Sequence, residues 1–389
     1  MSTVIPSEIV AATEAVLKNA DRPVMLHEPL LEGNAKKYVT SCIDENWVSS
    51  VGAFVDRFEQ DLAKACGAKY AIAMTNGTSA LSAALIMMGV QPDDEVLIPS
   101  LTFVATANAV SHANAVPHFV EVEEQSLGID PVALDQYLRE TVTSKNGLSV
   151  NKHTGRVIRA LMPVHVFGHP CQLPALKAIA EKYNLLLLED ATEALGSRIG
   201  EQRIGSDGVA VFSFNGNKII TTGGGGAITL QDEETYKRFK HTISTGKLPH
   251  AWRFDHDVVA WNYRMPNLNA ALGCAQLEGL EKFIAAKRNL AERYAKAFLD
   301  VKGARILQEP EGTTSNYWLV ALMVDDGDEV WLEDTLTAFH NAQILCRPLW
   351  TPLHQLPMYS ASPRSDLRLT ESLVQRVISL PSSVKLNAA

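Results

Sequence analysis

The feature that most constrains the fold of this sequence is an alternation of short apolar runs with helical segments between residues 70 and 230. Helical periodicity at 80–88 and 105–111 follows the first two apolar runs. Strands are predicted at 70–74, 95–98, 117–121, 158–164, 185–189, 209–213 and 226–230. The alternation predicts an α/β fold with a mostly parallel central sheet, covered by helices on both faces, and with ligand-binding loops along one edge.

The pattern changes after about residue 255. A long helix is predicted from 268 to 287 and beyond, and strands near 316–324 and 343–347 flank a helix at 328–341. Because 389 residues exceed what one hydrophobic core usually serves, two lobes are expected. We predict a large α/β domain at residues 31–255 and a smaller α+β domain at 256–389.

The first thirty residues are predicted to form an N-terminal arm. Residues 8–18 have helical periodicity, and Leu26-His-Glu-Pro29 is typical of an extended segment. Two interpretations stay open, an arm that crosses to a second subunit and a loose extension. Helices predicted at 34–46 and 55–65 then begin the large domain, and Gly67 ends the second of them.

Composition and charge narrow the functional class. Hydrophobic residues make up 46% and charged residues 20%, which is ordinary for a soluble globular enzyme, and the formal net charge of -9 argues against a nucleic-acid partner. The five cysteines are widely spaced and include no Cys-x-x-Cys pair, so neither a disulfide framework nor a zinc site is expected. The N-terminus lacks signal-peptide features, and no apolar run approaches the roughly 18 residues of a membrane helix. A cytoplasmic protein without membrane contact is expected.

Two residues indicate the chemistry. Lys218 lies in a polar, glycine-padded loop after a predicted strand, and Asp190 lies at the carboxyl end of the apolar run Leu185–Leu188. An amine that forms a Schiff base and a carboxylate that keeps a pyridine nitrogen protonated are what pyridoxal phosphate (PLP) requires. The alternatives without catalytic chemistry are a solvated loop lysine and an aspartate that caps the following helix.

Five ordered blocks resemble those of the DegT/StrS family of PLP-dependent sugar aminotransferases, from about residue 25 to the C-terminus. They are Asn76–Leu81, Pro99–Thr106, Glu189–Ala191, Ser213–Lys218 and Asn262–Ala270. The resemblance implies the fold type I of PLP-dependent transferases, which is the aspartate aminotransferase-like fold. Three further stretches are similar to the branch acting in bacillosamine and legionaminic acid synthesis: Val48–Glu59, Phe167–Cys171 and Arg347–Trp350.

The resemblance also implies roles for individual residues. Gly77, Thr78 and Ser213 would bind the PLP phosphate, although turn and helix-cap chemistry selects the same residue types at 76–79. Phe103 would stack on the pyridine ring, whereas an aromatic residue there is more commonly part of a core. Glu193 would lie near the phenolic oxygen, where many relatives have glutamine. Asn262, together with Arg264, would reach the site of a partner subunit.

Other candidates rest on weaker signals. His165 and His169 have i,i+4 spacing, but Gly168 and Pro170 favour a loop and no carboxylate follows at zinc spacing, so no metal is expected and His165 is placed near the cofactor. Arg347 and His354 are candidates for binding the donor carboxylate or the sugar diphosphate. The glycines at 223–226 lack dinucleotide-fingerprint spacing and are expected to permit close backbone approach at a dimer interface.

The resemblance implies ping-pong transamination in a homodimer with shared active sites. L-Glutamate would convert PLP to pyridoxamine phosphate, which would then aminate C4 of a UDP-linked 4-keto-6-deoxy-N-acetylhexosamine, with Lys218 carrying the proton and Asp190 holding the ring protonated. Two alternatives stay open. One is the same reaction on another nucleotide sugar such as GDP-4-keto-6-deoxymannose, and the other is a PLP-binding regulator without turnover.

Overall fold

The computed structural model describes residues 4–387, so residues 1–3 of the predicted arm and residues 388–389 of the predicted small domain lie outside the described residues. The helices are α1 (Pro6–Val16), α2 (Ala35–Asp44), α3 (Ala53–Cys66), α4 (Gly77–Met88), α5 (Ala105–His112), α6 (Pro131–Thr141), α7 (Leu173–Lys182), α8 (Glu233–Ile243), α9 (Asn267–Glu278), α10 (Leu280–Ala297), α11 (Glu329–Asn341) and α12 (Arg368–Leu373).

The strands confirm the predicted apolar runs and add several short ones. They are β1 (Tyr70–Met74), β2 (Glu95–Pro99), β3 (Val116–Val120), β4 (Val142–Lys145), β5 (Leu148–Asn151), β6 (Ile158–Leu161), β7 (Leu186–Asp190), β8 (Arg198–Ile199), β9 (Gln202–Arg203), β10 (Val209–Ser213), β11 (Gly226–Leu230), β12 (Ala304–Ile306), β13 (Thr313–Thr314), β14 (Val320–Val324), β15 (Arg347–Pro348) and β16 (Val377–Leu380).

A seven-stranded sheet forms the centre of the large lobe, in the order β1-β11-β10-β7-β6-β2-β3. Strands β10, β7, β6, β2 and β3 run parallel to one another, whereas β11 is antiparallel to both β1 and β10. Strands β2 and β11 are buried along their whole length, as expected for a sheet covered on both faces. The predicted mostly parallel α/β fold is therefore confirmed.

The second lobe contains an antiparallel sheet in the order β12-β14-β16-β15, packed with helices α10 and α11. Helix α1 packs on the same core through Ile9 and Val16, against a cluster that includes Tyr294. Val24 continues this attachment, because its N–H donates to Gln343 O at 2.8 Å. Residues 4–24 are therefore packed on the second lobe, because α1 buries its apolar side there.

The prediction of one continuous helix from residue 268 is wrong. The structure divides it at Gly279 into α9, which packs on α2 and α3, and α10, which reaches the second lobe. A Cβ at position 279 would lie 2.7 Å from the Phe283 ring, so the close approach requires glycine there. The predicted strand 343–347 is also reduced to Arg347–Pro348.

Within residues 4–387, no helix is both long enough and apolar enough to cross a lipid bilayer. The five cysteines are buried and carry free thiols.

Candidate active site

A cavity of about 530 Å³ opens where β1, β2, β7 and β10 end, which is the sheet edge predicted to bind ligands. Eight of the predicted site residues line it: Gly77, Thr78, Phe103, Asp190, Glu193, Ser213, Lys218 and Arg347. Four others do not line it: His165, Asn262, Arg264 and His354.

One end of the cavity is formed by the first turn of α4. The Asn76 side chain caps this helix by accepting a hydrogen bond from Ser79 N at 2.8 Å, and the helix begins at Gly77. A Cβ at Gly77 would lie 3.1 Å from Ser213 Cβ and would fill the space between the two backbones. The open first-turn N–H groups and the positive helix end suit an anion such as a phosphate.

The glycine run beside this turn acts within the chain. A Cβ at Gly226 would lie 2.5 Å from the backbone carbon of Asn76, so glycine permits β11 to approach the start of α4. The predicted close backbone approach therefore exists. For Gly226, this contact lies inside one chain and shapes the cavity, whereas the prediction placed it at a dimer interface.

The carboxylate of Asp190 lies at the end of β7 with 2% of the residue exposed. Thr106 Oγ1 donates to Asp190 Oδ2 at 2.8 Å, and Thr192 N donates to Oδ1 at 3.2 Å. Both hydrogen bonds come from neutral donors. A buried carboxylate held in this way at a cavity wall is suited to a cationic ligand group.

Lys218 extends from the loop after β10, with 11% of its side chain exposed. Its Nζ lies 3.2 Å from Glu193 Oε1 and 3.9 Å from the centroid of the Trp318 ring. Burial raises the pKa of Glu193, and the positive charge of Lys218 partly opposes this rise. The amine is thus held at the cavity wall by a carboxylate and by an aromatic face.

Glu193 has a second contact that sequence reasoning did not anticipate. Its Oε2 accepts a hydrogen bond from Phe167 N at 2.8 Å. Phe167 has φ +57°, a left-handed backbone conformation that costs a non-glycine residue about 1 kcal/mol or more. Glu193 therefore supports a strained turn at the cavity wall as well as the lysine.

Aromatic rings form much of the remaining wall. Phe103, in the loop after β2, is 52% exposed, so a ring-shaped ligand has an uncovered aromatic face available. Phe167 packs against Trp350 at 5.3 Å and against Trp318 at 6.3 Å between ring centroids. The branch-like stretches around Phe167 and Arg347–Trp350 therefore meet at this cavity, although they are far apart in sequence.

Sequence reasoning missed Thr106 and Trp318. Thr106 belongs to the Pro99–Thr106 block, and its position one helical turn after Phe103 is a signal that could have found it. Trp318 falls inside a predicted strand of the second lobe, and nothing in its surrounding residues marks it as part of the site.

His165 and His354 are corrected, because the structure places neither side chain in the cavity. His165 is fully buried: Cys171 N donates to its Nδ1 at 3.1 Å, and its Nε2 lies 3.4 Å from Glu189 Oε2. His354 Nδ1 lies 2.8 Å from Ser100 Oγ. Both imidazoles therefore hold neighbouring chain segments together.

Asn262 and Arg264 lie on the segment between α8 and α9. Asn262 is exposed, and Arg264 forms a backbone bridge with Met74 of its own chain. For metals, the described part of the chain contains no group of three or more histidine, cysteine, aspartate or glutamate residues placed to hold an ion.

Comparisons with known proteins agree with this geometry. The sequence profile of the DegT/DnrJ/EryC1/StrS aminotransferase family matches residues 29–389. GDP-perosamine synthase from Vibrio cholerae is 37% identical over 92% of this chain and 94% of its own. The structure of DesV from S. venezuelae, 27% identical, covers 93% of this chain and 95% of its own with a TM-score of 0.80. Spr1654 from Streptococcus pneumoniae, in a PLP form, is 21% identical over 92% and 93% with a TM-score of 0.82, a likeness of fold.

Proposed function

The chain belongs to the DegT/DnrJ/EryC1/StrS aminotransferase family, and on that premise we propose that it transfers the amino group of L-glutamate to C4 of a UDP-linked 4-keto-6-deoxy-N-acetylhexosamine. The family supports the coarser statement, that the chain is a nucleotide-sugar aminotransferase with PLP as its cofactor. The identity of the sugar, the donor and the position of amination are our proposal.

The residues of the cavity fit PLP. We assign the phosphate to Gly77, Thr78 and Ser213, where glycine leaves the space that a Cβ would fill. Asp190 is assigned to the ring nitrogen, because its hydrogen-bond donors Thr106 and Thr192 are neutral, and Phe103 to the ring face that its exposed side chain would cover. When bound, PLP supplies a ring that accepts the electron pair released at the donor carbon.

Lys218 has two tasks in this proposal. Its Nζ would hold the cofactor, and when free it would accept the proton released at the α-carbon of the donor. Glu193 keeps the freed amine within the cavity, because its Oε1 lies 3.2 Å from Nζ. Asp190 would keep the ring nitrogen protonated through its negative charge.

The single observation that carries the proposed sugar is the meeting of the branch-like stretches at the cavity. Phe167 and Trp350 form an apolar wall, and Arg347 lines the same cavity. An aromatic wall suits the methyl groups of a 6-deoxy, N-acetylated hexose. The guanidinium of Arg347 suits the diphosphate or the donor carboxylate.

A second candidate substrate is favoured by a specific observation. GDP-perosamine synthase from V. cholerae is 37% identical to this chain, which supports the same chemistry on GDP-4-keto-6-deoxymannose. A non-catalytic regulator is the third candidate. The presence of both Lys218 and Asp190 in one cavity argues against it, because a regulator has no need to retain either group.

We also propose that the working unit is a homodimer. Trp252, Phe254 and Val259 on the segment between α8 and α9 are 78%, 75% and 96% exposed, and Asn262 follows on the same segment. A second copy of the chain would cover these side chains and receive Asn262, with Arg264, at its own cavity. A protein that is monomeric by sedimentation equilibrium and fully active at the same concentration would contradict this.

The substrate proposal is tested by steady-state kinetics with purified UDP- and GDP-linked 4-keto sugars and L-glutamate. We expect kcat/KM for the UDP-linked N-acetyl sugar to exceed that for the GDP-linked sugar at least about tenfold, because apolar and polar groups of the wall each discriminate by that order. The reverse preference would establish the second candidate. No amino transfer to either sugar would contradict both.

A further inference from the structure

Trp318 contacts the Lys218 segment in two ways. Its ring lies 3.9 Å from Lys218 Nζ, measured to the ring centroid, and its Nε1 donates to Asn217 O at 2.6 Å. The indole therefore holds both the ammonium group and the backbone next to it. Trp318 is 4% exposed, so its contact with the amine is shielded from water, which strengthens it.

Trp318 is itself fixed by polar contacts. Asn316 Oδ1 accepts a hydrogen bond from Trp318 N at 2.8 Å, and Asn316 Nδ2 donates to Glu193 O at 2.9 Å. The buried Lys287 donates to Trp318 O at 3.0 Å. The two groups around Lys218 Nζ, the Trp318 ring and the Glu193 carboxylate, are thus joined through Asn316.

We propose that Trp318 is a positioning residue that holds the Lys218 amine whenever Nζ is not attached to the cofactor. In this arrangement the Glu193 carboxylate attracts the amine, and the Trp318 ring fixes where Nζ lies. Since Trp318 precedes β14 in the second lobe, while Lys218 follows β10 in the first, the contact also couples the lobes. The inference rests on the proposed function through the role of Lys218.

The contact can be tested in the cofactor-free protein by competitive acetylation. The reactivity of Lys218 is measured by mass spectrometry relative to the exposed Lys36 in the same digest. Because the Trp318 ring covers Nζ at 3.9 Å and holds it beside Glu193, we expect Trp318→Leu to free the amine and to raise the relative reactivity of Lys218 about tenfold. Trp318→Phe keeps a ring face and should stay within about threefold of wild type. Trp331→Phe, in the core of the second lobe, is the matched control and should leave the relative reactivity of Lys218 unchanged.

A second measurement avoids substitution of Trp318. With 5-fluorotryptophan incorporated, the ¹⁹F resonance of Trp318 should shift when Lys218 is changed to Met, because the ammonium lies over the ring. Unchanged Lys218 reactivity in Trp318→Leu, or an unshifted resonance in Lys218→Met if the leucine variant does not fold, would overturn the proposal.

Kinetics separate this inference from the proposed function. In Trp318→Leu, the maximal rate of the glutamate half-reaction should fall about tenfold with little change in KM for glutamate, since the amine rather than the donor is misplaced. A wild-type protein that does not react with glutamate overturns the proposed function, whereas the acetylation result for Trp318 still stands. A leucine variant with wild-type rates overturns the role of Trp318 alone.

Discussion

Lys218→Ala is expected to lower amino transfer from L-glutamate by at least about 10⁴-fold, because it removes both the attachment point of the cofactor and the proton carrier. The side chain points into the cavity and has no other lysine beside it among the groups that line it. The measurement is single-turnover formation of 2-oxoglutarate. Borohydride reduction before digestion should place the cofactor mass on the peptide containing residue 218 in wild type and not in the variant.

Lys218→Arg is the matched control for this result. Arginine retains a cation next to Glu193, whose Oε1 lies 3.2 Å from the present Nζ, but it stays protonated near neutral pH and so cannot accept a proton. We expect the arginine variant to be as inactive as the alanine variant while folding more stably. An arginine variant within about tenfold of wild type would mean that the ion pair, and not proton transfer, is what Lys218 provides.

Asp190→Asn is expected to lower the rate of the glutamate half-reaction by about 10²–10³-fold. The substitution is nearly isosteric, so the cavity keeps its shape while the charge assigned to the ring nitrogen is lost. An asparagine amide also accepts through only one atom, and one of the hydrogen bonds from Thr106 and Thr192 is left without its acceptor. Stopped-flow absorbance of the bound cofactor, mixed with glutamate, measures this rate.

Thr106→Val separates charge from geometry at the same carboxylate. It removes the 2.8 Å hydrogen bond to Asp190 Oδ2 and leaves the charge in place, so a loss of about tenfold or less is expected. If the asparagine and valine variants lose activity equally, the negative charge of Asp190 is not what the reaction requires.

The sequence was sufficient for the elements whose pattern is local. The strands of the central sheet are short, buried apolar runs bounded by turn residues, so β1, β10 and β11 begin and end where the runs do. The break at Gly279 was missed because residues 267–297 keep helical periodicity on both sides of it. At the break, the Phe283 ring lies 2.7 Å from where a Cβ of residue 279 would stand, a contact within one helical turn that periodicity alone does not reveal.

In the candidate site too, local sequence patterns predicted some residues, but contacts that depend on packing were not predicted. Asp190 and Gly77 could be placed near one sheet edge from the sequence, because one ends a strand and the other directly follows a strand and turn, whereas the place of Ser213 came from the family resemblance. His165 also follows a strand, but its ring turns toward Cys171 and Glu189 and away from the cavity, a direction that spacing does not fix. Trp318 stands 100 positions from Lys218 and belongs to the other lobe, so only packing brings it to the amine.

The central claim, that this cavity transfers an amino group from glutamate to a keto-sugar, is tested most directly with ¹⁵N-labelled L-glutamate. The PLP-loaded protein is first mixed with the labelled donor, freed of excess donor, and then given the UDP-linked 4-keto-6-deoxy-N-acetylhexosamine. We predict one ¹⁵N atom at C4 of the sugar per active site, detected by mass spectrometry and NMR. A sugar recovered without ¹⁵N, from protein whose cofactor did react with glutamate, would contradict the proposed substrate. Protein whose cofactor does not react with glutamate at all would contradict the proposed use of glutamate in this site.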